Sequence, residues 1–343
     1  MKGPLRIAGR LLRRSVRFPG IRPRERGRRL TVRMDTTNRC NLRCSMCPMR
    51  LADMDGSRRW HDMDEALFMK IAGQVFPGAW TVGISCGAEP LCNPRFGDCL
   101  RILYESDVPV REMVTNGLLM DEAARATILR TPPTTVFVSI DGCRPETHAA
   151  IRGGCDLDRV ISNASSLVRE RNRLGRRIPR LAFSVTLQRR NLSETAGIVE
   201  LAAETGASAV GTVPLVPYRG LGCMEEAPDT GSPEYLKAVA EASAVAGRLG
   251  IVFTESPRAS RPAGASCPYI EGWVFIDPDG RVNPCPYWDT SKPLGDLSSQ
   301  DFDEIVRGGP YASLRRMLAS GRLEPPCSGC PELAGAEHTE LRK

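Results

Sequence analysis

No stretch of this chain approaches the ~18 consecutive apolar residues of a membrane span. Its first residues also lack the apolar run and small-residue cleavage site of a secretory signal. These absences predict a cytoplasmic protein. Acid is scarce at the start: residues 1–33 hold 12 of the 47 Lys and Arg and a single acid, Glu25, leaving the remainder at a net charge of −4. The net charge of +7 therefore belongs to a tail, and the body gives no electrostatic reason to expect nucleic-acid binding. There is no internal repeat and no long low-complexity segment.

What remains is ordinary in bulk and unusual in one residue. The 343 residues, 41% hydrophobic and 25% charged, suffice for one large α/β domain and a smaller appendage. Thirteen cysteines is a high count. A secreted disulfide protein would be shorter and would carry an export signal, whereas cytosolic cysteines at short spacings more often bind metal.

From Leu30 to Phe253 short β-branched runs alternate with helical patterns. Strands are expected at Leu30–Asp35, Trp80–Ser85, Val110–Thr115, Thr134–Ile140, Leu181–Leu187 and Ala207–Val213. Helices are expected at Asp64–Val75, Asp158–Arg171 and Ser193–Thr205, the last with Ser193 as N-cap. The alternation implies a parallel sheet with right-handed crossovers, either a partial (β/α) barrel or a doubly wound sheet. Beyond Phe253 the chain turns rich in Pro and Gly. A hairpin is expected across Asp277–Gly280, with helices near Phe302–Val306 and Tyr311–Ala319. This reads as a small domain that a metal holds together. The domains expected are a basic extension over 1–30, a core over 31–255 and a C-terminal domain over 256–343.

Cys40, Cys44 and Cys47 form C-x3-C-x2-C directly after the first strand. Three thiolates in one loop can ligate three irons of a [4Fe–4S] cube and leave the fourth open to an external ligand. Zinc is the alternative, but His61 is the only histidine within fifty residues and no fourth cysteine is near, which makes a poor closed zinc site.

With this triplet the chain resembles the radical S-adenosylmethionine (SAM) superfamily. Further segments carry the resemblance in order after successive strands: Cys86-Gly87-Ala88-Glu89-Pro90, Thr115-Asn116-Gly117, Ser139-Ile140-Asp141-Gly142, Arg152-Gly153, and Thr186-Leu187 with Asn191. Ala88 stands where the family has a second glycine. The resemblance implies a partial (β/α)6 TIM-like barrel and a [4Fe–4S] cluster on Cys40, Cys44 and Cys47. SAM contacts are implied at Glu89, Thr115, Asn116, Gly117, Ser139, Asp141 and Asn191.

A second group, Cys267, Cys285, Cys327 and Cys330, reads C-x12-G-x4-C, with Gly280 as the glycine, then C-x2-C after a long gap. It resembles the SPASM/twitch extension of that superfamily. The short twitch form, with one auxiliary [4Fe–4S] cluster on these four cysteines, fits better than full SPASM, because no cysteine follows Cys330. Structural zinc on the same four is the alternative. Of the remaining cysteines, Cys92 and Cys99 read as buried hydrophobes. Cys86, Cys143 and Cys223 stand near site-forming loops, with Cys223 a candidate hydrogen donor to a substrate radical.

The implied chemistry is reductive cleavage of SAM to a 5′-deoxyadenosyl radical that abstracts hydrogen from a substrate C–H, supplied with electrons by a flavodoxin- or ferredoxin-type donor. Residues 1–30 are too short and basic for a peptide-leader recognition domain. That favours oxidation or epimerisation of a small sugar- or cyclitol-like molecule, with peptide or protein maturation as the alternative. Two non-enzymatic readings stand beside these: a zinc-stabilised binding module and an Fe–S electron-transfer or sensor protein. In the tail, Leu5, Ala8, Leu12 and Val16 share a helical face among Arg6, Arg10, Arg13, Arg14 and Arg17. This pattern suits an anionic membrane surface or an acidic partner, and a frayed, solvated extension is the simpler reading.

Overall fold

The computed structural model describes residues 30–57, 59–218, 220–255, 267, 269–270, 272–330 and 333. Most of the basic tail lies outside these residues, so its amphipathic reading does too. Ten strands form one sheet: β1 (Leu30–Met34), β2 (Ala79–Gly83), β3 (Val110–Thr115), β4 (Thr135–Ser139), β5 (Arg180–Leu187), β6 (Ala209–Pro214), β7 (Val252–Glu255), β8 (Trp273–Ile276), β9 (Arg281–Asn283) and β10 (Gly295–Asp296). Their order is β10-β9-β8-β1-β2-β3-β4-β5-β6-β7, and the sheet does not close.

The run β1 to β6 is parallel throughout and is the expected (β/α)6 core. Two additions extend it. β7 adds a parallel edge strand after the helix Pro233–Leu249. On the other side β8 pairs parallel to β1 and turns back through the Asp277–Gly280 hairpin into antiparallel β9 and β10. The C-terminal segment thus continues the sheet of the core.

Side chains alternate across a strand, and parallel partners share a face. One face is apolar and lies under the crossover helices: Leu30, Val32 and Met34 on β1, and Phe183, Val185 and Leu187 on β5 are all buried. The helices start where the sequence places caps. Asp64 accepts from the amides of Ala66 and Leu67, Asp156 from Arg159, and Ser232 from Tyr235, each cap being worth about 1 kcal/mol. One expected start differs. Arg189–Glu194 forms a 3-10 turn and the α-helix begins at Thr195, so Ser193 is not the N-cap.

The opposite, concave face falls into two parts. Around β1 and β8 it is crowded: Arg33 pairs with Glu112 at 2.7 Å, and its guanidinium lies over the Trp273 ring, which stacks on Phe275. Gly83 lies beneath, and a Cβ there would stand 2.5 Å from the Arg33 guanidinium, which would have to shift. Around β5 and β6 the same face carries the small residues Ser184, Thr186, Gly211 and Val213, with Val213 exposed. No helix among the described residues is long and apolar enough to cross a membrane.

Candidate active site

The chain from Asp35 to Cys47 crosses the C-terminal end of the sheet, where α/β folds place their sites. The protein itself holds this segment. The Asp35 carboxylate accepts from the amides of Cys86, Gly87 and Ala88, joining the end of β1 to the loop after β2. Thr37 donates to Asp62 at 2.6 Å, Glu89 N–H donates to the Arg39 carbonyl, and Ser45 N–H donates to the Ile151 carbonyl. His61 is engaged with Asn38 at 2.9 Å and with Asp279 at 3.0 Å.

Cys44 is buried, and Cys40 and Cys47 are half-buried. Burial pushes the Cys40 thiol up to about 12, against a lowering bond from Leu42, and Glu89, Cys44 and Cys47 add to the rise. Burial also raises Cys44, which Arg152 opposes. Thiols in this setting stay protonated until a cation arrives to balance them, as a cluster iron would.

The strand-end residues form two buried networks. In one, Glu89 accepts from Thr115 Oγ1 at 2.7 Å and from Asn116 N–H at 2.7 Å, while Asn116 Nδ2 donates to Asn41 Oδ1 in the cysteine loop. Burial, eased by those bonds, pushes the Glu89 carboxyl up to about 7. Gly117 closes the turn at φ +77, and a Cβ there would stand 2.8 Å from Val160. In the other, Asp141 is fully buried, meets Arg152 at 2.5 Å and accepts from Thr186 N–H. Asn191 Nδ2 donates to the carbonyls of Asp141 and Thr186, and its Oδ1 accepts from Gln188 N–H. Glu89, Asp141 and Asn191 thus turn into the protein, and Ser139 is buried at the end of β4.

Sequence reasoning missed Asp35, Asn41 and the contacts of Arg152. Asp35 closes the first strand run and Arg152 stands in a noted dipeptide, but neither position announces its partner.

At the other site, Cys267, Cys327 and Cys330 are buried and Cys285 is half-buried. Burial raises the Cys285 thiol, and Cys330, Cys267 and Cys327 add to the rise, so the four lie within range of one another's charge. Burial likewise pushes Cys327 up to about 12. Among the described residues, however, no three His, Cys, Asp or Glu side chains converge so as to hold one metal ion. A zinc site draws its thiolates to about 2.3 Å from one point, whereas a cube gives each thiolate its own iron. Both sites offer donor sets of sulfur alone in buried or half-buried loops, and such sets fit a cube. None of the thirteen cysteines is in a disulfide.

Tyr218 joins the two sites. It donates to the Pro286 carbonyl. Burial raises its phenol, and Tyr287, Cys86, Cys285 and Cys47 raise it further, which brings one thiol of each cysteine group within charge range of one residue. Among the other thiols, Cys223 is buried ahead of the turn Met224–Glu226. Cys143 lies 3.5 Å from Glu194, and burial and that carboxylate push it up to about 11. Cys99 is buried as expected, and half-buried Cys92 faces Asn41.

A family model described as the Radical SAM superfamily matches residues 34–201, and one described as SPASM, an iron–sulfur cluster-binding domain, matches residues 267–331. The chain is 25% identical over 319 residues to the PqqA peptide cyclase of Streptomyces rochei, covering 87% of this chain and 80% of the relative. It is 26% identical over 334 residues to the AdoMet-dependent heme synthase of Methanosarcina barkeri, covering 87% of each. Of another curated relative, matched over 187 residues at 25% identity, it spans about half the length (51%). Among solved structures, SuiB of Streptococcus suis bound to S-adenosylmethionine shares the fold, with a TM-score of 0.68 at 14% identity over 84% of this chain and 68% of that one.

Proposed function

This chain belongs to the radical SAM superfamily and carries a SPASM-type iron–sulfur domain, and on that premise we propose that it takes hydrogen from a C–H bond of a peptide held between its two cysteine sites. It is a radical SAM enzyme whose cofactors are a [4Fe–4S] cluster, SAM and an auxiliary Fe–S cluster. Together, cluster and SAM supply a 5′-deoxyadenosyl radical able to attack an unactivated C–H.

The chain's own residues bind, orient and enclose. Cys40, Cys44 and Cys47 hold the SAM-binding cluster, and Cys267, Cys285, Cys327 and Cys330 the auxiliary one. Asp35 and the Glu89–Thr115–Asn116 network fix the loops around the first, and Ser139 with the small residues of β5 and β6 leaves space beside it. The observation that carries this reading is Tyr218, which donates to the Pro286 carbonyl beside Cys285 and lies within charge range of Cys47. A substrate beside Tyr218 would lie near Cys285, one of the residues that would hold the auxiliary cluster, and such a cluster would supply an electron acceptor there. Electrons for SAM cleavage come from a flavodoxin- or ferredoxin-type donor.

A peptide substrate is favoured over the sugar or cyclitol expected from the short tail. The peptide cyclase relative matches along most of both chains, and the open concave face around Ser184, Gly211 and Val213 suits an extended ligand. Anaerobic, reconstituted enzyme given SAM and dithionite tests the choice. Short synthetic peptides should raise 5′-deoxyadenosine formation above the substrate-free rate and lose hydrogen by mass spectrometry. Stimulation by aminocyclitols or sugars, with peptides inert, would restore the small-molecule reading.

A further inference from the structure

The helix Pro145–Ile151 ends against the cysteine loop, and two contacts lock it there. Ser45 N–H donates to the Ile151 carbonyl at 2.8 Å. Gly153, at φ +62, lies so close beneath Arg43 that a Cβ would stand 2.5 Å from its carbonyl oxygen. Arg152, between them, has little freedom. Its Nε donates to Asp141 at 2.5 Å, and its charge lies within range of the buried Cys44 sulfur in the loop that Ile151 and Gly153 grip.

We propose that Arg152 is a positioning residue of the SAM-binding cluster, holding a positive charge against the Cys44 sulfur so that the cluster accepts an electron more readily. Asp141 stands behind Arg152, and the pair acts as a dipole with its positive end toward the sulfur. Reducing a cube adds negative charge, and net charge and hydrogen bonds to the sulfurs set its potential. A cation close to the sulfur would stabilise the reduced state, and the carboxylate one group further away would offset part of that effect. Arginine suits the place because its planar fork can serve a carboxylate and a sulfur together, which a single ammonium does less well. Thr186 N–H from β5 donates to the Asp141 carboxylate, and Asn191 from the 3-10 turn that follows donates to the Asp141 backbone carbonyl, so both fix the residue that aims Arg152.

The inference rests on the reading that Cys40, Cys44 and Cys47 bind the cluster. The test is an EPR redox titration of reconstituted holoenzyme, following the signal that changes when SAM is added, with iron content measured for each variant. At the potential where wild type is half reduced, Arg152→Met should lower the ratio of reduced to oxidised cluster by about tenfold, or about 59 mV for a one-electron couple. Asp141→Asn should raise that ratio, and Arg152→Lys should fall between Arg152→Met and wild type. Shifts of the same sign from Arg152→Met and Asp141→Asn, as loosened packing would give, would overturn the proposal. So would an Arg152→Met ratio within about twofold of wild type. Should Arg152→Met lose its iron, Asp141→Asn decides: a rise supports the proposal, and a fall or no change overturns it. Failure of the underlying ligand reading is seen separately, as a SAM-responsive signal that survives Cys40→Ala/Cys44→Ala/Cys47→Ala.

Discussion

The two cysteine groups are built in opposite ways. Cys40, Cys44 and Cys47 lie within eight residues, and the protein fixes the backbone around them through Asp35, Asp62, Glu89, Asn116 and the Ile151 carbonyl. The C-terminal four span Cys267 to Cys330 and are joined by a three-strand ribbon with short strands and two helices, Phe302–Arg307 and Gly309–Ser320. Among the described residues, the last pair stands on a single 3-10 turn, Cys327–Gly329. On the ligand sets proposed above, the first site is preorganised and a cluster there adds chemistry, whereas the second would depend on its cluster for shape. Where the sheet supplies rigidity, spending metal-binding energy on folding is unnecessary.

The largest expected effect comes from emptying the first site. Cys40→Ala/Cys44→Ala/Cys47→Ala should lower 5′-deoxyadenosine formation by ~1,000-fold or more while calorimetry shows a nearly unchanged core transition. A collapse of that transition would mean the loop needs its cluster after all. Cys327→Ala/Cys330→Ala should do the reverse to structure, costing the C-terminal segment several (~3 or more) kcal/mol. Limited proteolysis should then cut between residues 267 and 330 and spare the core, and equal resistance to wild type would erase the contrast.

Gly153→Ala sharpens the comparison from inside the first site. Its positive φ and the backbone oxygen 2.5 Å from the new Cβ predict a loss of about 3 kcal/mol in chemical denaturation. Iron should fall at the SAM-responsive cluster and not at the auxiliary one. The smallest effect is a pH dependence. His148 is buried, accepts from Asp141 N–H through Nδ1, and burial with the nearby Arg152 charge lowers it to about 4, with Asp141 opposing. The unfolded chain therefore binds the proton first. Stability present above about pH 6.5 is lost as pH falls toward 4, by about 2 kcal/mol between pH 7 and 5. In cluster-free protein His148→Gln should flatten that slope, and an unchanged slope would place the titration elsewhere.

The sequence exposed those features whose cause is local. β1 and β3 were readable from short β-branched runs, and the hairpin at Asp277–Gly280 from a turn in which Gly280 adopts φ +86. Cysteine spacing marked both sites because a cluster constrains its ligands directly. Distant contacts stayed hidden. Ser193 looked like a cap, yet the Glu194 carboxylate is drawn to Arg144, Thr147 and the Cys143 amide, and the local turn tightens to 3-10. β7 is a four-residue edge strand that pattern alone does not separate from a loop. Glu89 was legible as a site residue, but its inward direction depends on Thr115 and Asn116 arriving from the next strand. Arg152 meets Asp141 at the end of the sheet only once the sheet has formed.

The most direct test of the account is to measure iron and sulfide in anaerobically reconstituted protein and to assay the same sample for 5′-deoxyadenosine with SAM and dithionite. The account predicts about eight irons per chain and 5′-deoxyadenosine formation, with about four irons and no product in Cys40→Ala/Cys44→Ala/Cys47→Ala. Folded protein that binds no iron and forms no 5′-deoxyadenosine would contradict it.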